Sequence, residues 1–138
     1  MLKWKIAAVV GMLFGVGGVS WGYAQQQSAP GFYELRIYKA LPGKRDALAA
    51  RFASRTAAIY ARHGITNVGY WLNSIGGRND ELWYILGFED LAQRDRAWAA
   101  FQADPDWQKA RADSEKDGPL VHHLENRILS PTSFSPLK

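Results

Sequence analysis

Residues 64–88, GITNVGYWLNSIGGRNDELWYILGF, decide the fold. The run 66–73 carries Val68, Tyr70, Trp71 and Leu72, and the run 81–88 carries Leu82, Trp83, Tyr84, Ile85, Leu86 and Phe88. β-branched and aromatic side chains of this kind suit a pleated surface. Between them SIGGRND, residues 74–80, is a cluster of turn-forming residues. The stretch therefore predicts two antiparallel strands joined by a loop longer than a two-residue turn.

Upstream, residues 32–39 alternate. Tyr33, Leu35 and Ile37 share one face; Glu34, Arg36 and Tyr38 share the other. That predicts a strand with one dry and one polar face. Pro42-Gly43 ends it, and a helix is expected over 44–63. Leu48, Phe52 and Ile59 recur there at helical spacing, with Ala49, Ala53 and Thr56 beside them and Arg45, Arg51, Arg55 and Arg62 on the expected wet side. Gly64 suits the position just past the helix end.

Downstream, Asp90 and Gln93 have the spacing of a capping pair. Leu91, Ala97, Trp98 and Phe101 then share a helical face. Asp104-Pro105 breaks this helix and starts a shorter one carrying Trp107 and Ala110, which ends at Gly118-Pro119. The last strand, 120–129, sets His122, Leu124, Asn126 and Ile128 on one face and His123, Glu125 and Arg127 on the other. The order βαββαβ is the ferredoxin-like α+β arrangement: a four-stranded antiparallel sheet with both helices on one face.

The 138 residues suffice for one domain. There is no Cys, which excludes disulfides and thiolate chemistry. The formal charge is +4; removing Lys3 and Lys5 from the 17 basic residues leaves 15 against 13 acidic ones. The signs are interspersed, so no basic stripe for nucleic acid is present. Residues 1–24 read as a secretory signal: a basic start at Lys3 and Lys5, an apolar Gly-rich run over 6–19, and Gly22-Tyr23-Ala24 before an expected cleavage after Ala24. The apolar run falls short of the roughly 20 residues that span a bilayer. The expectation is a periplasmic or secreted protein, touching membrane only through an uncleaved signal. A polar leader (25–31), the domain (32–131) and a C-terminal tail (132–138) follow.

With both helices on one side, the other sheet face is open. Its expected residues are Glu34, Arg36, Tyr38, Trp71, Trp83, Ile85, His123, Glu125 and Arg127. An aromatic patch of that size exceeds what a monomer usually leaves in water. A second copy packed sheet against sheet with two-fold symmetry is the expected cover, with a small-molecule cavity between the sheets. In the other reading the sheets pack solid and the polar residues pair.

The ligand-binding candidates are Glu34, Arg36, Tyr38, Trp71, His123, Glu125 and Arg127. Arg36 and Arg127 suit an anionic or carbonyl ligand, while a carboxylate or His123 suits proton transfer. The structural alternative is cross-strand Glu–Arg pairing. His122 and His123 are adjacent on a strand and point to opposite faces, so no metal site is expected, and no cofactor is. His63 at a helix C-terminus reads as a cap. Gly76-Gly77 reads as a turn, since no Lys-Ser/Thr and no helix follow it.

An ordered series of short marks resembles the NIPSNAP family: Tyr33-Glu34-Leu35-Arg36, Pro42-Gly43-Lys44, His63-Gly64, Val68-Gly69-Tyr70-Trp71, the segment 94–98, Asp104-Pro105-Asp106-Trp107, and Glu125-Asn126-Arg127-Ile128-Leu129 with Pro131. The resemblance spans nearly the whole mature chain and implies a dimeric α/β barrel. Animal mitochondrial members are linked with vesicle traffic and the marking of damaged organelles, a role the secretory leader here argues against. Related barrels include cofactor-independent monooxygenases, small isomerases and haem-handling enzymes. Three functions stay open: a small-molecule binding protein without turnover, a cofactor-independent monooxygenase or isomerase, and an interaction module that docks a partner on its helices.

Overall fold

The computed structural model describes residues 29–137. The expected signal, residues 1–24, and residues 25–28 of the polar leader lie outside the described residues. The strands are β1 (Phe32–Ala40), β2 (Thr66–Leu72), β3 (Glu81–Phe88) and β4 (Val121–Leu129). They form one sheet in the order β2-β3-β1-β4, with every neighbouring pair antiparallel. This is the expected ferredoxin-like arrangement, and β4 lies beside β1. Among the described residues no helix is long and apolar enough to cross a membrane.

The first helical span has three parts. α1 (Arg45–Arg51) runs into a π-helical turn (Phe52–Thr56) and then α2 (Ala57–Arg62). The Thr56 hydroxyl donates to the Arg51 carbonyl at 3.3 Å across that turn. The end is closed by backbone bonds, Gly64 N–H to Ala61 O at 3.1 Å and Ile65 N–H to Tyr60 O at 3.0 Å. Such a reversal places one residue in the left-handed region, and Gly64 takes it with φ +74°. Ile65 is then fully buried, which anchors the turn to the core.

The second helical pair is α3 (Leu91–Ala103) and α4 (Pro105–Ser114). Asp90 caps α3 by accepting from Gln93 N–H at 2.7 Å. The Gln93 side chain goes elsewhere, donating to the Gly64 carbonyl at 3.0 Å and so tying the start of α3 to the end of α2. Asp104 caps α4 by accepting from Asp106 N–H at 2.8 Å and Trp107 N–H at 3.3 Å. Its other oxygen accepts from Arg62 and His63, both at 2.6 Å. His63 thus pins α2 to α4 in addition to standing at a helix end. The bonds from His63 and Arg62 hold the Asp104 carboxyl far below the usual carboxylate range.

Leu48, Ile59, Tyr60, Leu86, Phe88 and Phe101 fill the layer between helices and sheet. Burying a side chain of this size contributes about 1.5–3 kcal/mol. Ala53, expected beside the dry face, is exposed, and two large side chains also differ from the amphipathic pattern. Arg51, expected on the wet side, is buried because α4 packs across α1. Its guanidinium donates to Glu115 at 2.8 Å and lies over the Trp107 ring at 5.3 Å. Leu91, expected on the dry face, opens α3 and stays exposed.

Replacing Gly64 by Ala should lower stability by about 1–2 kcal/mol, the cost of left-handed backbone for an L-residue. Urea denaturation followed by circular dichroism should show a lower midpoint with an unchanged slope.

Candidate functional site

Directly opposed residues in a sheet share a face, so the register sorts the candidates. Leu35 lies opposite Ile85 and Arg127, and Ile37 opposite Trp83 and Glu125. Trp71 lies opposite Trp83, and His123 opposite Lys39. These residues share the open face. Glu34 lies opposite Leu86 and Ile128, Arg36 opposite Tyr84 and Asn126, and Tyr38 opposite Leu82 and Leu124. Leu82, Tyr84 and Leu86 belong to the helix-side core.

Three expected residues are therefore corrected. Glu34, Arg36 and Tyr38 do not line the open face beside Glu125 and Arg127; they lie under the helices. The physical reason is α3, which brings Arg94 and Trp98 over β1 and supplies the charge and donors that let a polar strand face go dry.

The result is a closed polar cluster. Glu34 has no exposure to solvent and Arg36 is 8% exposed. The Glu34 carboxylate accepts from Arg36 at 2.6 Å, Arg94 at 2.7 Å, Asn126 at 3.1 Å and the Trp98 indole at 3.4 Å. Arg36 also donates to the Tyr84 hydroxyl at 2.9 Å and the Tyr38 hydroxyl at 3.3 Å, and lies over the Trp98 ring at 4.5 Å. Burial by itself pushes the Glu34 carboxyl up. The bonds and charges of Arg94 and Arg36, with Asn126, outweigh it and leave the group below its ordinary value. Burial works against the Arg36 cation too, but the Tyr84 and Tyr38 oxygens outweigh it and hold Arg36 above its usual range. Burial pushes the Tyr84 and Tyr60 phenols well up, so both are neutral.

The open face has a different character. Leu35, Trp71, Asn73, Trp83 and Ile85 line a shallow cleft of about 440 Å³. The Trp71 indole lies over Gly69, where a Cβ would come within 2.6 Å of the ring. It is 51% exposed. Charged residues follow the β4 side of this face. Lys39 bonds Glu125 at 2.8 Å, and Arg127 approaches the same carboxylate at 3.4 Å. The bond from Lys39, then its charge, hold the Glu125 carboxyl below its ordinary value. Of the seven candidates, the open face brings together Trp71, His123, Glu125 and Arg127, and the helices cover the other three.

Sequence reasoning missed Arg94, Trp98, Asn126 and Tyr84 as partners of Glu34 and Arg36. Two signals point to them. Arg94 and Trp98 are four residues apart, hence neighbours on one helix face. Asn126 is a polar residue set between Leu124 and Ile128 in an alternating strand. Among the described residues no three His, Asp or Glu side chains converge as a metal ligand set. The closed cluster is saturated with hydrogen bonds. The open cleft offers apolar contact with a charged border.

A family model described as NIPSNAP matches residues 33–136. Protein NipSnap homolog 3B of Mus musculus is 29% identical over 84 residues, covering 61% of this chain and 33% of that protein. The chain spans about a third of the length of the curated relatives it matches. A solved NIPSNAP-like domain protein from Burkholderia xenovorans superposes with a TM-score of 0.67 at 33% identity, covering 76% of this chain and 88% of that one. SnoaB, a cofactor-independent oxygenase from Streptomyces nogalater, superposes with a TM-score of 0.53 at 20% identity, covering 78% and 99%. That last likeness is one of fold.

Glu34→Gln should destabilise the protein by about 3 kcal/mol at pH 7, because it leaves two guanidinium groups without their buried anion. The Glu34 carboxyl is depressed in the folded state. Its contribution is therefore complete above the unfolded carboxylate's pKa of about 4.3 and is lost as pH falls through the folded value. Chemical denaturation of both proteins at stepped pH should show the gap constant from pH 7 to about 5 and narrowing below about 4.

Proposed function

Because the chain belongs to the NIPSNAP family, we propose that it acts as a homodimeric small-molecule binding protein without turnover, with its ligand held between two facing sheets. One observation carries this reading. The apolar centre of the open face, Leu35, Trp71, Trp83 and Ile85, surrounds a cleft and has a charged border along β4. A second copy placed across a two-fold axis would cover that centre and set two clefts against each other. The cleft of one copy, about 440 Å³, already falls in the range of small-molecule sites, roughly 300–1,000 Å³.

The pairing of charges weighs against catalysis. A general acid or base needs a reactive group with a free position toward the substrate. Glu34 and Arg36 direct their charged atoms to each other and to Arg94, Asn126, Tyr84 and Tyr38. Glu125 is engaged by Lys39 and Arg127. The likeness to a cofactor-independent oxygenase rests on fold, and fold alone does not carry activity. The basic, apolar and small-residue sequence of residues 1–24 supports a place of action outside the cytoplasm, in the periplasm or secreted.

Light scattering should give the wild type twice the monomer mass, and Trp71→Glu the monomer mass with an unchanged circular dichroism spectrum. An unchanged mass for Trp71→Glu overturns the placement of the interface. Native mass spectrometry of protein taken from the source cell's envelope should show the dimer with a defined extra mass and without residues 1–24. A chain that retains those residues overturns the expected cleavage after Ala24.

A further inference from the structure

We infer that the helix side of the sheet carries a second site: a pocket for a small neutral aromatic molecule beneath the π-helical turn. It is a pocket of about 230 Å³, lined by Ala49, Ala53 and Ala57 on the helical span and by Tyr70, Trp71, Leu72 and Leu82 on the hairpin, with Phe52 at its back and its mouth open to solvent. An apolar cavity of roughly 150 Å³ is enough to hold benzene. The space here therefore suits one ring or two fused rings, below the size of a drug-like ligand.

Several independent features define the occupant. No lining residue carries a charge, so an anion or cation entering would lose its hydration without compensation. Burial pushes the Tyr70 phenol up, and its hydroxyl is committed to Asn67, so this wall is also neutral. The back of the pocket is built from rings. Phe52 packs on Tyr70 with centroids 5.7 Å apart and on Tyr84 at 4.9 Å, and Tyr70 stacks on Tyr84 at 5.5 Å. Ring edges and faces held at these spacings favour a flat aromatic partner over an aliphatic one of equal size.

The opposite wall is a helix that has been opened. Ala53 lies inside the π-turn, while Ala49 and Ala57 flank it. An inserted residue of this kind costs regular helical hydrogen bonding and recurs at functional sites. Access comes from the edge of the sheet: β2 has no strand beyond it. Leu72 and Trp71 at its end are 40% and 51% exposed. Trp71, at the sheet edge, borders both this pocket and the open-face cleft, whereas Ala49, Ala53 and Ala57 line this pocket and not the cleft, so filling variants at the alanines test it apart from the proposed dimer.

The test uses 5-fluoroindole as probe, followed by fluorine NMR on the full mature chain. The wild type should show saturable line broadening, with Kd no weaker than about 1 mM. Ala53→Leu, and Ala49→Leu as a second filling variant, should each weaken binding at least tenfold while keeping the native circular dichroism spectrum. Ile85→Glu, on the opposite sheet face, should leave it unchanged. The charged analogue 5-fluoroindole-2-carboxylate should bind at least tenfold more weakly. The inference is overturned if the wild type shows no saturable binding up to 5 mM, a concentration set about fivefold above that limit so that occupancy would be high. It is also overturned if both folded leucine variants bind like the wild type, or if Ile85→Glu abolishes binding and so moves the probe to the other face.

Discussion

A carboxylate with no contact with water dictates much of this molecule. Moving such a charge out of solvent costs several kcal/mol unless its lone pairs and its charge are both answered. Glu34 is answered four times, by Arg36 from its own strand, Arg94 and Trp98 from α3, and Asn126 from β4. Those partners come from three elements far apart in the chain. Each must be in place for the charge to be tolerated, so the cluster couples the position of α3 to the pairing of β1 with β4. Sliding β4 by one residue would turn Asn126 to the other face and leave that oxygen short of a donor.

This constraint decides which face of β1 is which. Once Glu34, Arg36 and Tyr38 are committed to the helices, the strand's pleat sends Tyr33, Leu35 and Ile37 to the other side. There they extend the apolar surface of Trp71, Trp83 and Ile85. A polar cluster buried on one face thus generates the apolar patch on the other, and the patch carries the reading of a protein that pairs with itself. The cluster is support for the site and has no spare group to act as one.

The helices are held to each other by polar contacts as well as by the core. Asp104 caps α4 and gathers Arg62 and His63 from the end of α2. Gln93 reaches from α3 to the Gly64 carbonyl. Arg51 crosses from α1 to Glu115 beyond α4. With its ends tied down in this way, the span 45–62 can carry a π-turn in its middle, and the space under that turn is the helix-side pocket.

The sequence by itself determined the order of elements, because hydrophobic period and turn residues are local properties. The Gly-Gly hairpin, the stop at Gly64, the Asp104-Pro105 break and the alternation of β1 and β4 could all be read from single stretches. It also sorted the residues of β1 and β4 into two sets correctly. Only the tertiary structure decided which set met the helices. Alternation states which residues go together and carries no label for inside, and here both faces have reason to be dry. The polar set of β1 read as the wet one because its partners, Arg94, Trp98 and Asn126, lie 60, 64 and 92 residues away. The buried ion cluster, the inverted face of β1, the burial of Arg51 and the pocket under the π-turn all depend on contacts between distant segments, which no local pattern records.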